Sequence, residues 1–434
     1  MLNGKKSILL ISYYFPPIGG PRSLRWHSFS KYLVQNGFNV DVITINPDPM
    51  INSYDRSFCE QDLAMIGVYR AYPGPIRKFI SGHFPVGEVL NDSGKTRSLK
   101  KVFRQEMKFF YNKVVKQFFI PDMTAEWLPW GIKKVLGLVR KKEYDMVISS
   151  AAPFTDHILG FFFKKIAKIP LIVDYGDPWV FNPFFPKWRY LFDSWIEGRI
   201  LKNAERIIVN ADTAVNGFIS HYPFLPKDKF SVIYQGYDEG SYGRAMPEKG
   251  RIFRIVYTGV FYKNIREPYL FVFFEAISRL KDIDLEVVIA GEVMPEFKDA
   301  AENAGLDKKI IFLGYQPHSR AVSLQKGADL LLFFSNNNPY QLPGKIFEYM
   351  GSLRPMLCVK CREDDSAAFM VKEKNRGFVV SNNAGEIASA VTEAYNLWKN
   401  GNLQDRFDLG PVPEYSWDSQ ARKMKILIEE ILAG

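Results

Sequence analysis

Residues 330–359 read LLLFFSNNNPYQLPGKIFEYMGSLRPMLCV. The run 330–334 is apolar throughout and ends in Ser335-Asn336, and a second apolar run, 356–359, opens after Pro355. Between them, after Pro343-Gly344, comes an amphipathic helix in which Glu348 stands among apolar residues. Short β-branched or apolar runs that do not alternate are the mark of parallel strands covered on both faces. Strand, helix, strand is therefore the local reading. It repeats outward in both directions, at 7–11, 40–45, 146–149, 171–173, 206–209 and 231–234, then at 254–258, 285–290, 310–313 and 378–380. Helical spacing fills intervals such as 23–36 and 268–280. Two doubly wound α/β domains follow. The polar stretch 237–250, with Gly240, Gly243, Pro247 and Gly250, separates them. The expected division is 1–240, 251–415 and a terminal amphipathic helix within 416–434.

Composition narrows the function classes. The chain of 434 residues carries 57 Lys+Arg against 47 Asp+Glu, a net +10, with 47% apolar and 24% charged residues, so it is not a disordered chain. Its three cysteines allow no disulfide framework and suit a reducing compartment. No apolar run is long enough to span a bilayer, and the apolar stretch after Lys5-Lys6 is too short for a signal peptide, so a cytoplasmic location is expected. The window 95–142 holds 13 Lys/Arg and 3 acidic residues together with Phe103, Phe109, Phe110, Tyr111, Trp127 and Trp130. It reads either as solvated helices whose aromatics face the core or as a surface for an anionic membrane. Nucleic acid ranks last, because no nucleic-acid motif accompanies the charge.

Three loops carry candidate chemistry. Gly19 and Gly20 lie between the first strand and its helix, where backbone approaches a ligand and a helix N-terminus favours an anion. Gly259, followed by Lys263 and Arg266, stands just past a strand of the second half, where α/β sheets bind ligands and two cations suit a diphosphate. Glu348 can accept two hydrogen bonds from vicinal hydroxyls such as those of a ribose. Asp282-Ile283-Asp284 has the form of a metal-binding D-x-D but precedes a strand, where a turn needs polar residues, and is read as structural. Cys358 and Cys361 form a lone C-x-x-C, too little for zinc. No metal site is expected.

The pattern Pro343-Gly344-Lys345 through Glu348-Tyr349-Met350, followed by Arg354-Pro355, resembles the nucleotide-sugar motif of retaining glycosyltransferases of family 4, which have the GT-B fold. The loop Tyr13 to Arg22, the Ile120-Pro121-Asp122 and Ser149 to Pro153 segments with His157, Asp174 to Trp179, and Tyr234 to Asp238 are similar to segments of bacterial surface-polysaccharide members. The resemblance implies two Rossmann-like domains facing across a cleft, with the terminal helix crossing back to the first. It implies a UDP- or GDP-linked sugar as substrate, no cofactor, and a glycan or lipid-linked acceptor. Glu348 would bind the ribose, Pro343, Gly344 and Lys345 would line the sugar pocket, Lys263 and Arg266 would hold the diphosphate, and Gly19 and Gly20 would close on it. The family's first motif glutamate falls at Tyr340. Asp177 and His157 are the ionisable candidates for a catalytic role. The competing readings are a sugar-nucleotide epimerase on the same scaffold and a nucleotide-sugar-binding protein without turnover.

Overall fold

The computed structural model describes residues 5–48, 55, 63–75, 119–182, 185–261 and 267–434. Lys263, Arg266 and the 95–118 part of the basic window lie outside the described residues. The chain forms two compact units, one of residues 1–233 with 421–434, the other of residues 234–420.

The first unit is built on a seven-stranded parallel sheet: β1 (Ser7–Ile11), β2 (Asn39–Ile45), β3 (Gly67–Ala71), β4 (Met146–Ala151), β5 (Leu171–Tyr175), β6 (Arg206–Val209) and β7 (Phe230–Val232). Their order is β3-β2-β1-β4-β5-β6-β7, so the winding reverses between β1 and β4. The second unit repeats the plan with β8 (Phe253–Thr258), β9 (Leu285–Ala290), β10 (Ile310–Gly314), β11 (Leu330–Phe334), β12 (Met356–Lys360) and β13 (Gly377–Ser381), in the order β10-β9-β8-β11-β12-β13. Every pairing among the named strands is parallel, and helices alternate with the strands. The α/β architecture of two Rossmann-like units is thus the one the apolar runs implied.

Burial explains why those runs are not alternating. Ile8 to Ile11, Val147, Ile148, Leu171 to Val173 and Leu330 to Phe334 are buried at successive positions, because helices cover both sheet faces. β3 went unread in the sequence: Gly67-Val68-Tyr69-Arg70-Ala71 is mixed in polarity, as befits an edge strand half open to water. Asp282 and Asp284 lie at the amino end of β9, beside Lys309, whose ammonium donates to the carbonyls of Leu280 and Ile283 at 2.5 and 2.9 Å. That is the end opposite to the ligand-binding edge of a parallel sheet. Among the described residues no cluster of three or more His, Cys, Asp or Glu is placed to hold a metal, and no helix is long and apolar enough to cross a membrane.

The helix Trp417–Ala433 has its residues from Ala421 onward grouped with the first unit, and Ala421, Met424, Leu427 and Ile428 are buried. In the second unit, Tyr237 donates its amide to the Tyr415 carbonyl and accepts from the Trp417 amide, 3.2 and 3.0 Å.

Candidate active site

In the second unit the reversal of winding falls between β8 and β11, the position at which doubly wound sheets bind ligands at their carboxyl edge. Two segments emerge there. β8 ends in Thr258-Gly259, and β11 leads through the 335–344 loop into the helix Lys345–Gly351. Gly259 has φ +151°, and a Cβ on it would stand 3.0 Å from the Tyr257 hydroxyl and 3.1 Å from Cε of Lys345. The missing side chain is what lets the lysine lie over the strand end. Lys345 Nζ is 3.5 Å from Thr258 Oγ1 and 3.6 Å from Glu348 Oε2, one helical turn along. Both charged side chains remain partly open to solvent, a cation and a carboxylate presented together at the strand ends.

Residues with no sequence signal hold this pair in place. Gln325 Nε2 donates to Thr258 Oγ1 at 2.8 Å and reaches Glu348 Oε2 at 3.5 Å, while its carbonyl oxygen accepts from the Tyr242 hydroxyl. The Tyr349 hydroxyl accepts from the Thr258 amide at 2.9 Å. Burial pushes the phenols of Tyr242 and Tyr349 upward, so both stay neutral. Pro343 is buried, and Gly344 allows the loop to pass Gln235: a Cβ there would come within 2.6 Å of Gln235 Cγ. Tyr340 donates its amide to Asn338 Oδ1 at 3.1 Å within the same loop. Gly259, Pro343, Gly344, Lys345 and Glu348 are therefore neighbours of one strand edge. Gln325, 20 residues upstream in a helix of its own, could not have been found by spacing.

In the first unit the corresponding edge, around β1 and β4, carries the other candidates. Gly20 has φ +116° and precedes the helix Pro21–Gln35, with open space where a Cβ would stand. That helix supplies Arg22, Arg25 and Trp26 to Asp174 near the end of β5: Arg25 donates through Nε and Nη2 at 3.0 and 2.8 Å, Trp26 Nε1 at 3.0 Å and Arg22 Nη1 at 3.5 Å. Burial pushes Asp174 up, but Arg25, Arg22 and the Trp26 hydrogen bond together hold it below the usual carboxylate range. Arg22 lies across Gly176, where a Cβ would overlap its guanidinium. Burial raises the nearby Asp177 carboxyl, and the Arg22 charge opposes that shift. His157 is buried in the helix Thr155–Ala167, with Nδ1 2.8 Å from the Ser149 hydroxyl and its ring 4.4 Å from that of Tyr175. Burial depresses it to about 3, leaving a neutral imidazole at neutral pH. The site residues thus fall into two groups, one in each unit.

Two doubly wound parallel-sheet units of this kind are the architecture of the GT-B fold. Residues 252–396 match the family model for glycosyl transferases group 1, and residues 24–240 match that for glycosyltransferase family 4. The second match spans half of the chain, and the chain belongs to glycosyltransferase family 4. Among solved structures it is similar to a glycosyltransferase from Rickettsia africae (17% identity, 99% of each chain, TM-score 0.67). Sucrose-phosphate synthase from Thermosynechococcus elongatus is also similar (15% identity, 99% of this chain and 100% of that one, TM-score 0.66). A third is WaaG, a glycosyltransferase involved in lipopolysaccharide biosynthesis (14%, 98% and 100%, TM-score 0.59). At these identities the likeness is one of fold. No curated protein sequence matches the chain.

Proposed function

We propose that this glycosyltransferase moves a sugar from a UDP- or GDP-linked donor to a glycan or lipid-linked acceptor in surface-polysaccharide synthesis, with retention of the anomeric configuration and without a metal. The observation that carries the reading is the Lys345–Glu348 pair over Thr258 and Gly259. Glu348 is suited to accept from both ribose hydroxyls, and Lys345 to donate to an oxygen of the sugar or of the diphosphate. Lys263 and Arg266 follow Gly259 in sequence and would add two charges at the diphosphate. In the reaction the bond between the anomeric carbon and the diphosphate oxygen breaks as the acceptor hydroxyl attacks from the same face. The electron pair goes to the diphosphate, and one of its oxygens takes the acceptor's proton. Cations fixed at the departing diphosphate stabilise the transition state more than the ground state. In the first unit, Asp177 and the neutral His157 are the ionisable groups proposed to orient the acceptor, and Gly20 leaves room for phosphate.

The membrane-facing part of the reading rests on the basic window 95–142, which suits an anionic inner leaflet carrying the acceptor. A binding protein without turnover is favoured by one feature, Tyr340 in place of the first motif glutamate. Incubation with a panel of UDP- and GDP-sugars decides between them. Release of nucleoside diphosphate from one donor, accelerated by acceptor, supports transfer, whereas tight binding with no release supports the binder.

A further inference from the structure

The helix Tyr190–Asn203 buries Ile200 and Leu201 in its last turn, but its first turns are inside out relative to an ordinary surface helix. Its two carboxylates, Asp193 and Glu197, are 0% exposed, whereas Leu191 is 83%, Phe192 51% and Trp195 58% exposed. At 3.6 residues per turn, positions 191, 192, 195, 199 and 202 share one stripe, so the outer face is apolar and aromatic for its first turns and ends in Arg199 and Lys202. The inward carboxylates explain the inversion. Asp193 accepts from Arg189 (2.7 and 2.9 Å) and from Trp179 Nε1 (3.0 Å), and Glu197 accepts from the Tyr222 hydroxyl (2.7 Å). Buried charges of this kind need such partners and fix which face turns inward.

Neighbours extend the outer face. Phe192 and Trp195 have ring centroids 6.3 Å apart, and the Arg199 guanidinium sits 5.1 Å over the Trp195 ring. Exposed Phe224 comes alongside at Gly198, whose Cβ would stand 3.7 Å from its ring. At the helix's end Lys229 donates to the Lys202 carbonyl at 2.9 Å, which gathers Arg199, Lys202 and Lys229 into one cationic margin, with exposed Lys227 beside Lys229 in the chain. The single acid in that connection is Asp228. At the helix's start Arg189 donates to the carbonyls of Phe119 and Pro121, both at 2.8 Å, which ties the 119–121 segment to this same helix.

From this juxtaposition we infer that the outer face of Tyr190–Asn203, with Phe224, is a second membrane-contacting surface, seated on anionic lipid headgroups. Tryptophan and phenylalanine partition to the interfacial layer of a bilayer, and arginine and lysine at their margin meet lipid phosphates. A contiguous exposed aromatic stripe with a charged rim marks an interaction surface, and here the rim is cationic. The inference rests on the membrane-facing reading above and puts the contact on an element outside the 95–142 window.

The test uses the full chain and phosphatidylcholine vesicles with and without phosphatidylglycerol, with nucleoside diphosphate binding measured in parallel. Wild-type protein is expected to sediment with the anionic vesicles. The variant Phe192→Ser/Trp195→Ser should need about tenfold more lipid for half-binding. Arg199→Glu/Lys202→Glu should lose the preference for phosphatidylglycerol. Both variants, being changed only at exposed positions, should bind nucleotide as the parent does. Equal vesicle binding by the parent and the aromatic variant overturns this surface while leaving the membrane reading standing. A parent that ignores both vesicle types overturns the membrane reading itself. A parent that dimerises in light scattering, and becomes monomeric in the aromatic variant without any vesicle binding, assigns the face to a second copy of the chain.

Discussion

At the scale of single residues, Glu348 sits where a carboxylate keeps one oxygen turned toward Lys345 and Gln325 while remaining partly open. If it accepts from a ribose, Glu348→Ala should weaken nucleoside diphosphate binding by about 10- to 100-fold, because a hydrogen bond to a charged group contributes roughly 1.5–3 kcal/mol. Calorimetric titration measures this, and unchanged affinity in a folded variant would remove the ribose assignment. Lys263 and Arg266 belong to the same proposal but act on the leaving group. Their joint replacement by Ala should lower turnover by on the order of 100-fold, with a smaller change in KM, since the interaction strengthens as charge develops. Equal losses in binding and in turnover would instead mean that the two cations hold donor and transition state alike.

At the scale of elements, the ends of β8 and β9 are shaped by two glycines with different duties. Gly291 has φ +148°, and a Cβ on it would overlap the carbonyl of Gly259 in the neighbouring strand end. Backbone cannot move aside as a flexible side chain can, so Gly291→Ala should cost about 2–3 kcal/mol of stability, read from urea denaturation. At Gly259 the obstacles are the far ends of two side chains, the Tyr257 hydroxyl and Cε of Lys345. Gly259→Ala should therefore displace Lys345 from Thr258 and Glu348, and lower nucleotide affinity by a larger factor than it lowers stability. The opposite ranking, with Gly259→Ala the more destabilising and nucleotide affinity unchanged, would dissociate Lys345 from the site.

At the scale of the whole molecule, two buried groups give stability opposite pH slopes. His157 is depressed from 6.5 to about 3, so the unfolded chain binds its proton first, and the stability contributed by the neutral ring is full above pH 6.5 and lost as pH falls toward 3. Glu197 is raised by burial from 4.5 to about 7, so its contribution is full below pH 4.5 and lost as pH rises through 7. Each group changes stability by at most about 1.4 kcal/mol per pH unit, and between pH 4.5 and 6.5 they offset each other. Against the parent, His157→Asn should lose the upward slope between pH 3 and 6.5, and Glu197→Gln the downward slope between 4.5 and 7. Denaturation midpoints measured from pH 4 to 8 check both signs, and parallel curves for parent and variants would mean neither group titrates on unfolding.

The chain's own order of residues determined the α/β class, the alternation of strand and helix, and twelve of the thirteen strands among the described residues, because strands sheathed on both faces must be apolar at every position. It also put Gly259 just past a strand, since glycine and charge following an apolar run mark the carboxyl edge of a parallel sheet, and Glu348 in the helix after Pro343-Gly344, while Lys345 came only with the family resemblance. Edge strand β3 carries no apolar signature because four of its five positions are only partly buried and Gly67, Tyr69 and Arg70 break the apolar run. Gln325 and Tyr242 leave no sequence signal because they join the site from two helices distant in sequence. The helix Tyr190–Asn203 shows most plainly what only the tertiary structure decides. Its sequence alone chooses no face, because Leu191, Phe192, Trp195, Ile196, Ile200 and Leu201 run round the helix. The fold turns Asp193 and Glu197 inward, because Arg189, Trp179 and Tyr222 meet the two carboxylates there, and Trp179 and Tyr222, which lie outside the helix, join that buried network only when the chain has folded.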